Sequence, residues 1–142
     1  MKKTIIMMSM AAAMLTAVTG CKPVCNEWYE ADGTKCVEVR EQFYGTYTGT
    51  MTTDGQSANG QLVISENSAG VNYLSFLLQT GNSTMVLTSE EGAFNIPLQN
   101  IYIQGVTYSI EGSGSFSGSQ LVMNYVATYQ SSNIVVNFTG TK

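Results

Sequence analysis

The chain has 142 residues, 44% of them hydrophobic, with six basic and ten acidic side chains, a formal charge of −4 and no histidine. That length accommodates one domain beyond any leader. The missing histidine excludes Ser-His-Asp, Cys-His and histidine-metal arrangements, and the shortage of cations argues against nucleic acid as a partner, because backbone binding rests on Lys and Arg neutralising phosphates.

The first segment carries Lys2 and Lys3, then an uncharged run over residues 4–18 that holds Ile5, Ile6, Met7, Met8, Met10, Met14 and Leu15. This is the charged start and short apolar run of a secretory signal. A membrane-spanning helix needs about 20 apolar residues, and a cleavage site arrives first. That site, Val18-Thr19-Gly20-Cys21, resembles the lipobox of bacterial lipoproteins. The resemblance implies that residues 1–20 are a signal peptide, and that Cys21 is acylated on sulfur and becomes the acylated amino terminus. Each buried methylene contributes about 0.8 kcal/mol, and two or more chains make attachment stable. Lys22 follows Cys21, where aspartate tends to mark inner-membrane retention in such lipoproteins, so outer-membrane attachment is expected, on either its periplasmic or its exterior face. Loss of the leader leaves 122 residues at a formal charge of −6, since Lys2 and Lys3 depart and no acid does. An anionic lipid surface does not attract such a chain.

Charge then divides what remains. Eight charged residues fall in the twenty from Lys22 to Glu41, but only six in the 101 from Gln42 to Lys142. The boundary separates a tether, residues 21–41, from a domain, residues 42–142. With Cys21 taken by lipid, Cys25 and Cys36 remain as a pair in an oxidising compartment, where a disulfide is the default. Asp32-Gly33 between them is a hairpin signal. Closing a loop of this size stabilises by roughly 3 kcal/mol. A redox or zinc role does not fit a Cys-x10-Cys spacing without histidine. Trp28 is a candidate partner contact, or else a cover for the disulfide or the neighbouring domain.

From Phe43 onward apolar residues alternate, the period of strands rather than helices. Over residues 43–52, Thr46, Thr48, Thr50 and Thr52 share one face, while Phe43, Tyr47 and Met51 share the other with Gly45 and Gly49 between them. A turn over residues 54–60, a strand at 62–64, a turn at 67–70 and a strand at 71–78 follow, then a turn at Gly81-Asn82 and a strand at 84–88. Residues 89–100 read as irregular, because Pro97 lacks the donor that a central strand needs. Strands resume at 101–103 and 107–111. Residues 112–119, rich in Gly and Ser, read as a turn or edge. Leu121, Met123, Tyr125, Ala127 and Tyr129 point inward on the next strand, and Ile134, Val136 and Phe138 share one face of the last.

About eight sequential strands joined by short turns predict an all-β chain, an up-and-down antiparallel β-barrel with a β-sandwich as the alternative. An integral outer-membrane barrel would need an outward apolar band with aromatic girdles, whereas the outward faces here carry Thr, Ser, Asn and Gln. The lipobox, the cysteine hairpin, the opening Phe43-Tyr44-Gly45-Thr46-Tyr47-Thr48-Gly49-Thr50, the middle Phe94-Asn95-Ile96-Pro97, Gly112-Ser113-Gly114 and the closing Thr139-Gly140-Thr141-Lys142 together resemble the calycin-like (lipocalin-like) β-barrel lipoproteins of Gram-negative gut bacteria. The resemblance implies an eight-stranded barrel on a lipid tether without an assigned activity. True lipocalins carry Gly-x-Trp in the first strand. Here Gly45-Thr46-Tyr47 stands in its place and no C-terminal helix follows, so ligand binding is not carried over with the resemblance.

No catalytic set, metal site or cofactor is expected. Gly114-Ser115-Phe116-Ser117-Gly118 centres on phenylalanine rather than serine, and Glu66, Glu90, Glu91 and Glu111 fall in loops or near turns, where solvated carboxylates are ordinary. The expectation is a non-enzymatic envelope lipoprotein that contacts a protein or glycan, through its loops and the Trp28 hairpin, in one form as an inhibitor of a hydrolytic enzyme; such architecture alone does not assign a role. The alternative is a barrel mouth that takes an apolar or amphipathic ligand among Tyr47, Tyr73, Tyr108 and Tyr125, against the plainer reading that these rings fill the core.

Overall fold

The computed structural model describes residues 22–78 and 81–142, so the leader and Cys21, with the expectations attached to them, lie outside the described residues. The tether folds as an antiparallel hairpin of β1 (Tyr29–Asp32) and β2 (Lys35–Glu38). Gly33 supplies the left-handed turn at φ +62°, and a disulfide joins Cys25 to Cys36. A 3-10 turn, Val39–Phe43, leads into the domain.

Eight strands follow: β3 (Gly45–Thr53), β4 (Gln56–Glu66), β5 (Tyr73–Leu78), β6 (Gly81–Leu87), β7 (Ala93–Ile103), β8 (Val106–Ser117), β9 (Gln120–Tyr129) and β10 (Ser132–Thr141). Each pairs antiparallel with its sequence neighbour, and β10 returns to β3, which closes the barrel. Closure pairs strand edges that a sandwich would leave exposed. At Gly49 a Cβ atom would sit 1.9 Å from the Thr139 carbonyl oxygen, so only glycine lets β3 approach β10 this closely. Inward rows are apolar as the alternation requires: Leu62 and Ile64 on β4, Leu121, Met123, Tyr125 and Ala127 on β9, and Val136 and Phe138 on β10 are all buried. Hairpin, closed sheet and core all lie within residues 22–142, which form a self-contained folding unit.

Three segments differ from expectation. Residues 89–100 are not irregular throughout, because β7 runs through Pro97. The β7–β8 ladder shifts register between Ile96 and Gln99, so Pro97 sits in a bulge where no donor is required. On the β6 side only Val86↔Asn95 and Leu87↔Phe94 are paired, and the Gln99 carboxamide extends the contact. The Thr84 N–H donates to Gln99 Oε1 at 2.7 Å and Gln99 Nε2 donates to the Thr84 carbonyl at 2.6 Å. A primary amide offers the donor and acceptor of a peptide group, so it can stand in for a missing rung. Residues 112–119 are likewise mostly strand, since β8 continues to Ser117. A Cβ on Gly114 would lie 2.4 Å from the Phe94 ring, so glycine makes room for an aromatic inside the barrel. The 54–60 turn also shortens to Asp54-Gly55, with β4 starting at Gln56.

Up-and-down topology places alternate turns at opposite poles. The entry to β3, the loops 67–72, 88–92 and 118–119, and Lys142 mark one pole; the turns at Asp54-Gly55, Gln104-Gly105 and Gln130-Ser131 mark the other. The first pole is plugged. Phe43 stacks on Phe116 with centroids 4.5 Å apart, and Phe94 and Tyr47 lie 5.2 and 5.7 Å from the same ring. Arg40, 4% exposed, clamps this plug: Nη1 donates to the carbonyls of Asn67, Gly70 and Tyr73 at 2.6, 2.8 and 2.9 Å, Nε pairs with Glu38 and Nη2 with Glu66. Lys142 Nζ donates to the carbonyls of Gln42 and Tyr44, joining the chain's end to the start of β3.

Candidate ligand cavity at the open pole

The opposite pole is not filled. Inward residues there, including Met51, Ile103, Tyr108, Tyr125, Ala127 and Ile134, surround an apolar cavity of about 170 Å³. Itself open to solvent, it adjoins a larger cleft of about 820 Å³ with which it shares Met51, Thr53, Ile103 and Tyr125. The cleft's outer wall is polar and comes from Asp54, Gln56, Ser57, Asn59 and Gln61. Its volume lies in the range of small-molecule sites, roughly 300–1,000 Å³.

Unequal strand lengths create the cleft. β4 has eleven residues, but β5 has six and β6 has seven, and their hairpin closes at the pair Leu78↔Gly81. The β4–β5 register begins at Val63↔Leu77, so residues 56–59 of β4 run past the tip of that hairpin. One edge of β4 pairs with β3 there; the other has no ladder partner among the described residues. Its backbone N–H and C=O groups line the cleft as unspent hydrogen-bonding capacity.

Tyr125 sits where cavity and cleft meet. It is 6% exposed, yet its hydroxyl has no hydrogen-bond partner among the described residues. Burial pushes its pKa up to about 12, so at neutral pH it is an uncharged donor facing empty space. Among the described residues the hydroxyl of Ser83 on β6 is the one buried side-chain polar atom without a partner. None of the four described cations, Lys22, Lys35, Arg40 and Lys142, lines cavity or cleft, and Asp54 is the one ionisable carboxylate that does.

Of the tyrosines expected at a mouth, the structure brings Tyr108 and Tyr125 together there and excludes Tyr47 and Tyr73. β3 and β5 both start at the plugged pole, which carries the early residues of each strand with it. Tyr47 is 0% exposed, its hydroxyl donates to the Phe43 carbonyl at 3.0 Å, and burial pushes its pKa up to about 12. The Tyr73 carbonyl accepts from Arg40. Trp28 packs against the barrel core, and its backbone N–H donates to Glu90 Oε1 at 2.9 Å, so its ring covers the plug. Glu66 is spent on Arg40 in the same region. Met51 and Ala127, which the alternation placed inward without marking them as site residues, belong to the site together with Thr53, Asp54 and Ile103, which it did not single out. Their common signal is proximity in sequence to the Asp-Gly, Gln-Gly and Gln-Ser turns, which alternate strand direction brings to one pole.

No known protein family, curated protein or solved structure matches the chain.

Proposed function

We propose that this protein is a lipid-anchored, non-catalytic domain of the cell envelope whose open barrel pole binds a small apolar or amphipathic molecule. The anchor rests on the leader and on Cys21. The binding role rests on one observation: the barrel is packed with aromatic rings at one end and open at the other, where apolar side chains line a depression beside the unpartnered Tyr125 hydroxyl. An apolar void loses dispersion contacts that a ligand would restore, and an engineered cavity of about 150 Å³ takes up benzene.

The test uses the soluble span 22–142 and the neutral apolar fluorophore N-phenyl-1-naphthylamine. Saturable enhancement at one site is expected, and Ala127→Trp, which fills the cavity, should abolish it while circular dichroism stays that of a folded barrel. Fluorescence that rises without saturation, or equally in both proteins, would overturn the binding role. For the anchor, labelled palmitate should enter the intact chain and not Cys21→Ala.

A further inference from the structure

Polarity in the open pole is divided between two compartments, and this division specifies a ligand. The inner cavity is apolar and about 170 Å³, the size of a ring or a short alkyl chain. The outer cleft offers uncharged donors and acceptors from Thr53, Gln56 and Asn59, while Ser57 and Gln61 bond to Thr52 and Thr48, and beside them runs an edge of β4 with no ladder partner among the described residues. At the junction stands Tyr125, a largely buried ring whose hydroxyl reaches solvent and makes no hydrogen bond among the described residues.

We infer that the site takes an amphiphile with a ring-sized or short-chain apolar tail and an uncharged, hydrogen-bonding head such as a sugar or an amide, and that it discriminates against carboxylates. The inference rests on the binding role proposed above and adds the chemistry of the head. Every described cation lies outside the cavity and cleft, so an anionic head entering them would lose hydration and find no positive partner. It would also meet Asp54 on the cleft wall. A cationic head would gain one ion pair with Asp54, a type of contact that contributes little when exposed to solvent. A sugar or amide head keeps several hydrogen bonds in exchange for those it made to water, including one from Tyr125 that no protein group competes for. Discrimination by unpaired polar groups is typically stronger than discrimination by one methylene more or less.

Displacement of N-phenyl-1-naphthylamine from residues 22–142 by octyl glucoside, octanoate and octylammonium, each below its micellar concentration at pH 7.5, separates the possibilities. Octyl glucoside should compete at least tenfold better than octanoate and no worse than octylammonium. Tyr125→Phe should weaken octyl glucoside several-fold while the fluorophore still binds, and Gln56→Lys should improve octanoate several-fold. Octanoate within threefold of octyl glucoside, or octylammonium binding tightest, would overturn the inference. So would a fluorophore that binds but is displaced by none of the three, leaving the binding role intact; failure of the fluorophore itself to bind removes that role first.

Discussion

Gln99 shows how one side chain can repair a backbone defect. Pro97 removes a donor from β7, and the Gln99 carboxamide supplies Thr84 with both halves of a peptide-like contact. Gln99→Leu keeps the approximate volume but leaves two backbone groups of Thr84 without partners. It should cost about 1–3 kcal/mol in urea unfolding, with Gln99→Glu intermediate because it keeps the acceptor alone. Burial raises Tyr44, Tyr47 and Tyr125, and the two shifted furthest set an alkaline limit on the fold. Tyr47 and Tyr125 are each pushed up to about 12 from an ordinary value of 10. Their neutral forms fit the barrel better than the ionised forms do, so the stability they contribute is complete below pH 10 and is lost as the pH rises toward 12. Tyrosinate absorbance from these two should therefore emerge together with unfolding, above the pH at which exposed tyrosines titrate.

At the scale of elements, the hairpin and 3-10 turn act as a lid held by one guanidinium and one disulfide. Arg40→Met would leave the carbonyls of Asn67, Gly70 and Tyr73 without their donor and strand Glu38 beside them. A loss of about 3–5 kcal/mol is expected from urea denaturation, the range for breaking a buried charged network. Replacing Cys25 and Cys36 by serine should cost roughly 3 kcal/mol or less, and the barrel should remain folded, because no strand of the closed sheet includes them. The hairpin and the eight-strand count were legible because the Asp-Gly turn, the cysteine spacing and the period-two alternation are local signals. The course of β7 through Pro97 was not, since it depends on a bulge and on a glutamine from the same strand reaching across to β6. The tail of β8 was hidden for a related reason: Gly112 and Gly114 look like turn residues until Tyr125 is placed against the first and Phe94 against the second.

For the whole molecule, the division between a plugged and an open pole ties the proposed binding to stability. A ligand held only by the folded barrel stabilises it by about 2.7 kcal/mol when present at a hundred times its Kd. In a domain of this size that raises Tm by roughly 10 °C, and differential scanning calorimetry with octyl glucoside should show the rise in the unaltered barrel and none in Ala127→Trp. Which tyrosines line the open pole could have been read from the strand count alone. Tyr47 and Tyr73 open their strands at the tether end, whereas Tyr108 follows the Gln104-Gly105 turn at the far rim. The cleft could not, because it arises from β5 and β6 being shorter than their neighbours, a length that alternation does not mark.

The tether enters β3 at the plugged end, and Lys142 leaves β10 at that same end, so the direction of a mechanical load decides how the barrel fails. A pull between the N-terminus and the far rim draws β3 along its own axis, in shear, against nine paired positions on β4 and six on β10 that must yield together. A pull between the two chain termini peels β3 from β10 one rung at a time. The domain is stiff between its tether and its distant rim and weak between its own ends.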